Sequence, residues 1–521
     1  MALVSCSTLS CVSQMATGRV FHDRNGNGVF DEGETGIPNV LVSNQIQVGK
    51  TDEQGHWKLP VRDDCHFFVV KPQGWSTPLN KLNLPQFYYN HKPHGSPQFK
   101  HPGVEPTGPL PESIDFALTP ADEPETFEAI FFGDPQPRDQ KELDYIAHDV
   151  VEELIGTDAK FGVTLGDILY DDLSLFENNN KLISLIGIPW YNVIGNHDLN
   201  FDAKTDLLAD ETFERHYGPA YYSFDYGPTH FVVLDNVYWG GAEPTGSGRY
   251  TAGLGAEQLA FLNNLLPHIP ETKLLMLMMH IPIYEMKDKE TLFDLIDQRP
   301  YTMSISGHTH WHAHFYLDET QGWKGPEPHH HVVNVTVSGS WWTGEPDEIG
   351  IPHTTMRDGA PNGYSIIRFD GHSAAVDFKA ARRPSNYQLN IMAPETISPT
   401  SETPLFVNVF NGSEKSTVEF AIDGATDWVT LEKTFEHDPS YVALKELEAK
   451  RPQLLGRPLS NPVNSYHLWK TNLPKDLPLG THRILVRTTD QWGRTFHGSR
   501  VIRVVQSEKQ EETQASESNV L

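Results

Sequence analysis

The sequence predicts an α/β layered core that is flanked by two β-sandwich-like domains. Three observations carry this prediction. In the middle of the 521-residue chain, buried apolar runs alternate with segments of helical periodicity. On both sides of this region, short runs of alternating polarity are separated by Gly, Pro and Asn, as in β-sandwiches. Hydrophobic residues make up 38% of the chain and aromatic residues 11%, which is enough to fill packed interiors.

The elements follow in order along the chain. In the N-terminal β region we predict strands at 17–23, 39–43, 56–61 and 66–70, and mostly loop from 71 to 124. In the central region we predict strands at 127–133, 161–166, 189–194, 230–234, 273–279 and 302–306, and helices at 143–154, 257–266 and 291–296. In the C-terminal region we predict strands at 405–410, 417–422, 428–431, 483–487 and 500–505.

Changes in composition predict the domain boundaries. We expect a leader remnant at 1–15, an N-terminal β domain with a connector at 16–124 and the α/β domain at 125–381. A C-terminal β domain follows at 382–505, after a boundary rich in Pro, Ser and Thr, and the polar tail at 506–521 is predicted to be disordered.

The charge balance excludes some classes of partner. With 69 acidic and 40 basic residues the net charge is −29, so we expect no general nucleic-acid binding and no attraction to anionic membranes. No apolar run reaches the ~18 residues that a membrane span needs. The 25 His outnumber 3 Cys and 9 Met, and His is the commonest metal ligand.

The first residues resemble the end of a bacterial lipoprotein signal. Leu3-Val4-Ser5-Cys6 would match the cleavage motif, and Cys6 would then carry a lipid anchor. This interpretation predicts a periplasmic, outer-membrane lipoprotein or secreted bacterial protein. The alternative is an accidental pattern in a disordered start, because the basic and most of the apolar region of a signal are missing.

Five polar clusters directly follow predicted strands of the central region, where α/β folds assemble their sites. They are Gly133-Asp-Pro-Gln136, Gly166-Asp-Ile-Leu-Tyr-Asp171, Gly195-Asn-His-Asp198, Met279-His280 and Gly307-His-Thr-His310. Carboxylate, amide and imidazole groups form a ligand set that suits Mn²⁺, Fe or Zn²⁺. A carboxylate such as Asp167 can bridge two such ions, which together can bind a phosphate and activate water.

These motifs, in this order, resemble those of the calcineurin-like metallophosphoesterase family. The resemblance implies a central two-sheet α/β sandwich and, as in some bacterial members, flanking β domains. It implies that the first metal is held by Asp134, Gln136, Asp167 and His310, and the second by Asp167, Asn196, His280 and His308. It also implies that His197 assists catalysis, that Asp198 orients its ring, and that Asp171 is a supporting carboxylate.

Position 136 departs from the commoner family pattern, which has His there. An amide oxygen is a harder donor than imidazole, so we expect a preference for Mn²⁺ or Mg²⁺. The predicted function is a two-metal phosphoesterase acting on monoesters or diesters by attack of activated water. The alternatives are a diphosphatase for nucleotide-type substrates, a nuclease, or a non-catalytic envelope binding protein with a structural metal core. Substrate and oligomeric state stay open.

A second motif predicts calcium binding in the N-terminal region. Oxygen donors recur at the spacing of a calcium loop, at Asp23, Asn25, Asn27, Asp31 and Glu34. The alternative is an Asn- and Gly-rich turn that needs no ion.

Three further features have open meanings. His312, His314 and His329 to His331 are expected to lie at the surface or to support the ligands. Trp341 and Trp342 either line a substrate cleft or contact a β domain. Residues 240–253 and 343–363 are plausible specificity loops.

Overall fold

The computed structural model describes residues 14–241, 249–352 and 355–506. The chain forms two compact units. The first comprises residues up to 310, 315–341 and 363–377, and the second comprises 311–314, 342–362 and 378 onward. The predicted leader with Cys6, the tail from 507 and parts of the predicted loops at 240–253 and 343–363 lie outside the described residues. The domain boundaries at 124/125 and 381/382 stay predictions.

Two mixed sheets form the centre of the fold, which confirms the predicted α/β class. In sheet order, the first contains Trp190–Val193, Gly162–Leu165, Thr126–Phe132, Gly363–Asp370 and Ser373–Ala380. The second contains Tyr222–Tyr226, Thr229–Val233, Leu274–Met278, Thr302–Ser306, His329–Val333 and Ala313–Leu317. Each strand predicted for this region is present, with ends that differ by at most a few residues.

At least three strands in each central sheet pair in parallel, and this positions the site. Thr126–Phe132, Gly162–Leu165 and Trp190–Val193 pair in parallel, as do Thr229–Val233, Leu274–Met278 and Thr302–Ser306. Strands buried on both faces read as continuous apolar runs, and every residue of Leu274–Met278 is buried. Because neighbouring parallel strands end at the same edge, the loops that follow them meet there.

Helices cover these sheets with apolar faces. The α-helices are Gln140–Ile146, Glu152–Leu154, Phe176–Ile183, Glu211–Tyr217, Gly255–Leu265 and Lys289–Ile296. The first two are joined by the π-helical turn Ala147–Val151, and the periodic residues Leu143, Ile146, Val150 and Leu154 are buried as predicted. Short 3₁₀ turns lie at Leu173–Leu175, Ser184–Ile186, Asn196–Asp198, Asp206–Leu208, Leu266–His268, Ile283–Glu285 and Glu319–Gln321.

The N-terminal region contributes two further sheets to the first unit. One contains Thr35–Gly36, Met15–His22, Phe116–Pro120, Trp75–Ser76 and His56–Pro60, and the other Val48–Lys50, Leu41–Ser43, Cys65–Val69 and Tyr88–His91. A two-stranded ribbon, Val237–Trp239 with Tyr250–Ala252, lies in the central region. The segment 71–124, predicted as mostly loop, therefore contains three strands, Trp75–Ser76, Tyr88–His91 and Phe116–Pro120, and the last of them pairs in parallel with Met15–His22.

The second unit is mainly β structure, as predicted for the C-terminal region. One of its sheets contains Leu389–Met392, Pro404–Val409, Leu468–Asn472 and Glu432–Thr434. The other contains Thr396–Ile397, Thr495–Val504, Gly480–Thr489, Thr417–Ile422 and Val429–Thr430. Leu405, Val407 and Phe420 belong to its apolar core. The unit also contains an α-helix that was not predicted, Pro439–Ala449, which is capped by Asp438.

Within the described ranges, none of the helices combines the length and the apolar character that crossing a bilayer requires.

Candidate metal centre

The five polar motifs meet at one edge of the two central sheets. Each motif follows a strand, and the five strands are Thr126–Phe132, Gly162–Leu165, Trp190–Val193, Leu274–Met278 and Thr302–Ser306. The side chains that they carry hydrogen-bond one another across the two sheets, for example His280 with Asn196. The structure therefore brings together every metal ligand predicted for the central region.

Glycines in these motifs allow the close approach. A Cβ on Gly307 would lie 2.3 Å from an Asp134 carboxylate oxygen, and one on Gly195 would lie 2.0 Å from the backbone nitrogen of Asp167. Gly166 has φ +85° as well, and a Cβ there would lie 2.6 Å from His280 Nδ1. Any larger residue at these positions would push the ligand side chains apart.

The backbone is strained where the predicted ligands lie. Positive φ angles are found at Asp134 (+40°), Gln136 (+40°), Asp167 (+48°), His308 (+78°) and His310 (+56°). Non-glycine residues rarely adopt this region, and each such residue costs about 1–3 kcal/mol. Strain concentrated on these residues is typical of a functional site.

One group of acceptor atoms converges around His280. Its Nδ1 lies 2.9 Å from the carbonyl oxygen of Leu165, which can only accept, so this nitrogen donates. The other nitrogen, Nε2, lies 3.1 Å from Asn196 Oδ1 and 3.2 Å from Asp167 Oδ1. His308 Nδ1 is 3.1 Å from the same Nε2. Asp167, His280 and His308 can supply one ligand atom each to a common metal ion.

A second group surrounds Gln136. Its amide nitrogen donates to Asp167 Oδ2 at 2.7 Å, whereas its buried Oε1 has no hydrogen-bond partner. His310 donates from Nδ1 to the Gly339 carbonyl at 2.5 Å, and its Nε2 lies 3.7 Å from Asp134 Oδ1. A buried oxygen without a hydrogen-bond partner, on a side chain that contacts the Asp167 carboxylate, is an atom that a cation would satisfy. A second ion bound by these residues stays a prediction.

Burial controls the charge state of three of these groups. It raises the pKa of Asp134 to about 7, and it lowers the pKa of both His308 and His310 to about 3. The two imidazoles are therefore neutral at neutral pH and keep a lone pair for a metal.

Asp167 and His280 form an opposite-charge pair. Burial acts to raise the pKa of Asp167, but the His280 and His197 imidazoles outweigh it and hold that pKa below its usual value. Burial likewise acts to lower the pKa of His280, but Asp167 and Asp134 raise it to about 9. A bound cation would take the place of this proton on His280.

His197 lies beside the ligands and is partly accessible. Its Nδ1 lies 2.5 Å from Asp171 Oδ1, and its side chain is 22% exposed. Its ring stacks on Tyr170 at 4.5 Å with an interplanar angle of 20°. Burial acts to lower its pKa, but the carboxylates of Asp167 and Asp171 outweigh burial and raise it.

Asp198 has a different role from the predicted one. Its carboxylate accepts hydrogen bonds from the backbone nitrogens of Ile168 (3.1 Å), Leu169 (3.1 Å) and Gly195 (2.9 Å). The expectation that Asp198 orients the His197 ring is therefore corrected, because Asp171 is the carboxylate at the ring nitrogen. A fully buried carboxylate at a 3₁₀ turn is satisfied by backbone donors that would otherwise have no partner.

Arg138 and Tyr170 were not predicted to belong to the site. The Arg138 guanidinium lies 4.1 Å from the centre of the Tyr170 ring, and its Nη1 donates to the Trp341 carbonyl at 3.0 Å. One sequence feature could have identified Arg138 as a site residue: it is a basic residue two positions after Gln136 in a strongly acidic chain.

Two more aromatic residues contact the ligands. Trp341 stacks on the His310 ring at 3.9 Å, so it lies beside the predicted ligands, and the interpretation that it lines a substrate cleft stays a prediction. Tyr250 lies edge-on to the His308 ring at 6.0 Å. Burial, helped by the charge of Asp167, raises the pKa of Tyr250 to about 12. Trp342 is buried in the second unit.

Of the five histidines at positions 312, 314 and 329–331, four are buried. The expectation that they lie at the surface is therefore wrong for these four. Exposed fractions are 0% for His312, 7% for His314, 1% for His329 and 0% for His331. In the second unit, His312 and His314 both bond the side-chain oxygen of Asn411, at 3.0 and 2.9 Å. His330 is half-buried and stacks on Tyr316 at 4.9 Å.

The predicted calcium loop is closed by its own hydrogen bonds. Asp23 accepts from the backbone nitrogens of Gly26 and Gly28, and the Asn25 and Asn27 amides each donate to Asp31 at 2.8 Å. Glu34 accepts from the backbone nitrogens of Arg24 and Asp31. Calcium binding there stays a prediction.

Comparison with solved structures gives distant likenesses. A purple acid phosphatase from yellow lupin (Lupinus luteus) seeds is 13% identical, with a TM-score of 0.37 and 71% of each chain covered. A superoxide reductase (neelaredoxin) from Ignicoccus hospitalis is 12% identical, with a TM-score of 0.14, covering 23% of this chain and 81% of that chain. No curated protein matches the sequence.

Three protein-family models match consecutive parts of the chain. The model for the N terminal of calcineurin-like phosphoesterase matches residues 24–101, and the model for calcineurin-like phosphoesterase itself matches residues 129–312. The model for the C terminal of calcineurin-like phosphoesterase matches residues 331–496. All five motifs of the metal centre lie within the second match. The chain therefore belongs to the calcineurin-like phosphoesterase family.

Proposed function

We propose that this protein is a two-metal phosphoesterase that hydrolyses phosphomonoesters or phosphodiesters. The observation that carries the proposal is the buried Gln136 Oε1, which has no hydrogen-bond partner, beside the converging acceptor atoms around His280. Asn196, Asp167 and His308 each bring an acceptor atom to His280 Nε2, and a divalent cation would take the place of the proton that this nitrogen carries. The family provides the reaction class.

Seven side chains would hold the two ions. The first ion would be bound by Asp134, Gln136, Asp167 and His310, and the second by Asp167, Asn196, His280 and His308, with Asp167 shared. Two divalent cations supply water activation and neutralise the negative charge of the phosphoryl group. The amide oxygen of Gln136 favours Mn²⁺ or Mg²⁺ at the first position, with Fe and Zn²⁺ as the alternatives.

His197 would assist the departure of the leaving group. Nδ1 of His197 donates a hydrogen bond to Asp171, which fixes the ring and leaves Nε2 available for a bound ester. The raised pKa means that this ring can carry a second proton and donate it to the leaving oxygen. An oriented, partly exposed imidazole beside the ligands favours catalysis over a purely structural metal core.

The test is hydrolysis of p-nitrophenyl phosphate and bis(p-nitrophenyl) phosphate by purified protein with added Mn²⁺. Asp167→Ala should abolish turnover and reduce bound metal, measured by mass spectrometry of the elements, because Asp167 contacts both groups of ligands. Asp144→Ala, at an exposed helical position, serves as the matched control and should keep both the turnover and the bound metal of the wild type. Full activity of Asp167→Ala would refute the proposal.

A further inference from the structure

Among the residues that the structure describes, three aromatic rings border the metal centre, and each contacts a different imidazole. The pairs are Tyr170 with His197 at 4.5 Å, Trp341 with His310 at 3.9 Å, and Tyr250 with His308 at 6.0 Å. Rings beside a phosphate site can either hold catalytic groups in place or contact the substrate itself. The geometry of each ring distinguishes these two roles.

Tyr170 and Trp341 each support an imidazole of the metal centre, His197 and His310 respectively. The Tyr170 ring has the His197 ring stacked at 4.5 Å and the Arg138 guanidinium at 4.1 Å, and two such neighbours must occupy opposite faces. Trp341 stacks nearly parallel on His310, and its carbonyl accepts from Arg138. Both rings therefore support imidazoles of the centre.

Tyr250 has a different arrangement. Its ring is at 84° to the His308 ring, with the two centroids 6.0 Å apart, so this imidazole can cover at most one of the two faces of Tyr250. Tyr250 is 37% exposed. Its backbone is fixed in a ribbon, where it pairs with Trp239, whose buried indole donates to the Ala203 carbonyl at 2.9 Å. A partly exposed ring thus stands on a fixed backbone next to a predicted ligand.

We propose that Tyr250 is a specificity residue that stacks on a planar aromatic group attached to the substrate phosphate. The preferred substrates would then be aryl or nucleobase-bearing esters, as opposed to alkyl esters. This inference rests on the proposed function, because the phosphate must bind beside His308 for its ester group to reach the ring. Stacking of this kind is expected to give about a tenfold preference in affinity.

The experiment compares phenylphosphonate with methylphosphonate, which share one head group and cannot be hydrolysed at an ester bond. Calorimetric titration of the Mn²⁺-loaded full chain should give about tenfold tighter binding of phenylphosphonate. Tyr250→Ala should bring the two affinities to within about twofold while leaving methylphosphonate binding unchanged. Tyr250→Phe, which keeps the ring, should retain the preference.

Tyr238→Ala is the matched control. Tyr238 lies in the same ribbon and is 48% exposed, but it pairs with Thr251 and so faces away from Tyr250. The Tyr238→Ala variant should keep the preference for phenylphosphonate over methylphosphonate. An equal preference in Tyr250→Ala, or none in the wild type, would overturn the inference. If the wild type shows the preference but hydrolyses no p-nitrophenyl ester, the proposed function is refuted and the inference is overturned as a statement about substrates, while selection of an aromatic ligand by Tyr250 is upheld.

Discussion

Asp171 and Asp198 both lie close to His197 and bind different partners. Asp171 binds the ring nitrogen, whereas Asp198 accepts three backbone hydrogen bonds that join the loops after two strands. The sequence places both carboxylates near the imidazole, but it does not specify which way either one points. That direction is decided by burial, because Asp198 is completely buried and accepts hydrogen bonds from three backbone N–H groups.

The two aspartates should therefore respond differently to removal of charge. Asp171→Asn should lower kcat about tenfold with bound metal and melting temperature unchanged, because only the orientation of His197 is weakened. Asp198→Asn should lower the melting temperature and the metal content, because the amide replaces one of the two accepting oxygens by an NH₂ group that cannot accept from the backbone N–H groups of the two loops. Steady-state kinetics, metal analysis and calorimetry of both variants measure this. A loss of metal in Asp171→Asn would contradict these roles.

At the scale of elements, periodicity predicts the long buried strands well and the short or unusually placed elements poorly. The central strands are continuous apolar runs, which is the strongest signal a parallel sheet gives. Phe116–Pro120 was missed because only a few apolar residues stand between Pro-rich stretches, and its partner strand lies about a hundred residues away. The helix Pro439–Ala449 was missed because only Tyr441 is buried, so it has little apolar periodicity.

A hydroxyl and imidazole ladder joins two neighbouring parallel strands. Ser304 Oγ lies 2.7 Å from both His329 Nε2 and His331 Nδ1, and the far nitrogens of these rings bond Thr302 and Ser306. Burial lowers the pKa of His329 to about 3, so its ring is neutral and each ring nitrogen needs a partner.

Ser304→Ala should therefore destabilise the protein by about 2–4 kcal/mol, because each buried group left unpaired costs about 1–3 kcal/mol. Urea unfolding at neutral pH measures the change. Ser373→Ala, at an exposed strand position, is the matched control and should leave the transition unchanged. A Ser304→Ala transition that coincides with the wild type would show that the ladder contributes nothing.

At the scale of the first unit, a buried ion cluster joins the N-terminal region to the central helix Glu211–Tyr217. Lys92 Nζ lies 2.8 Å from carboxylate oxygens of Asp64, Glu211 and Glu214. Burial acts to raise the pKa of Glu214, but His66 and Lys92 outweigh it and lower the pKa to about 2. The stabilisation from Glu214 is thus fully present above its ordinary pKa and is lost as the pH falls towards 2.

Lys92→Met should reduce the free energy of unfolding at pH 7 by about 3–5 kcal/mol, because buried carboxylates lose their cation. The difference from the wild type should narrow at acidic pH, where protonation removes the uncompensated charge. Urea unfolding at neutral and acidic pH measures both effects. Lys181→Met, which removes an exposed ion pair with Glu177, is the control and should behave as the wild type. A difference that stays constant with pH would contradict this account.

The left-handed backbone conformations at the predicted ligands imply a trade-off between the stability of the protein and its activity. Asp134, Gln136, Asp167, His308 and His310 hold conformations that glycine or asparagine would adopt at lower cost. Selection for thermal stability alone would therefore favour substitutions at these residues, and the selected variants would be more stable but inactive. A laboratory evolution campaign on this protein should accordingly screen for turnover as well as for melting temperature.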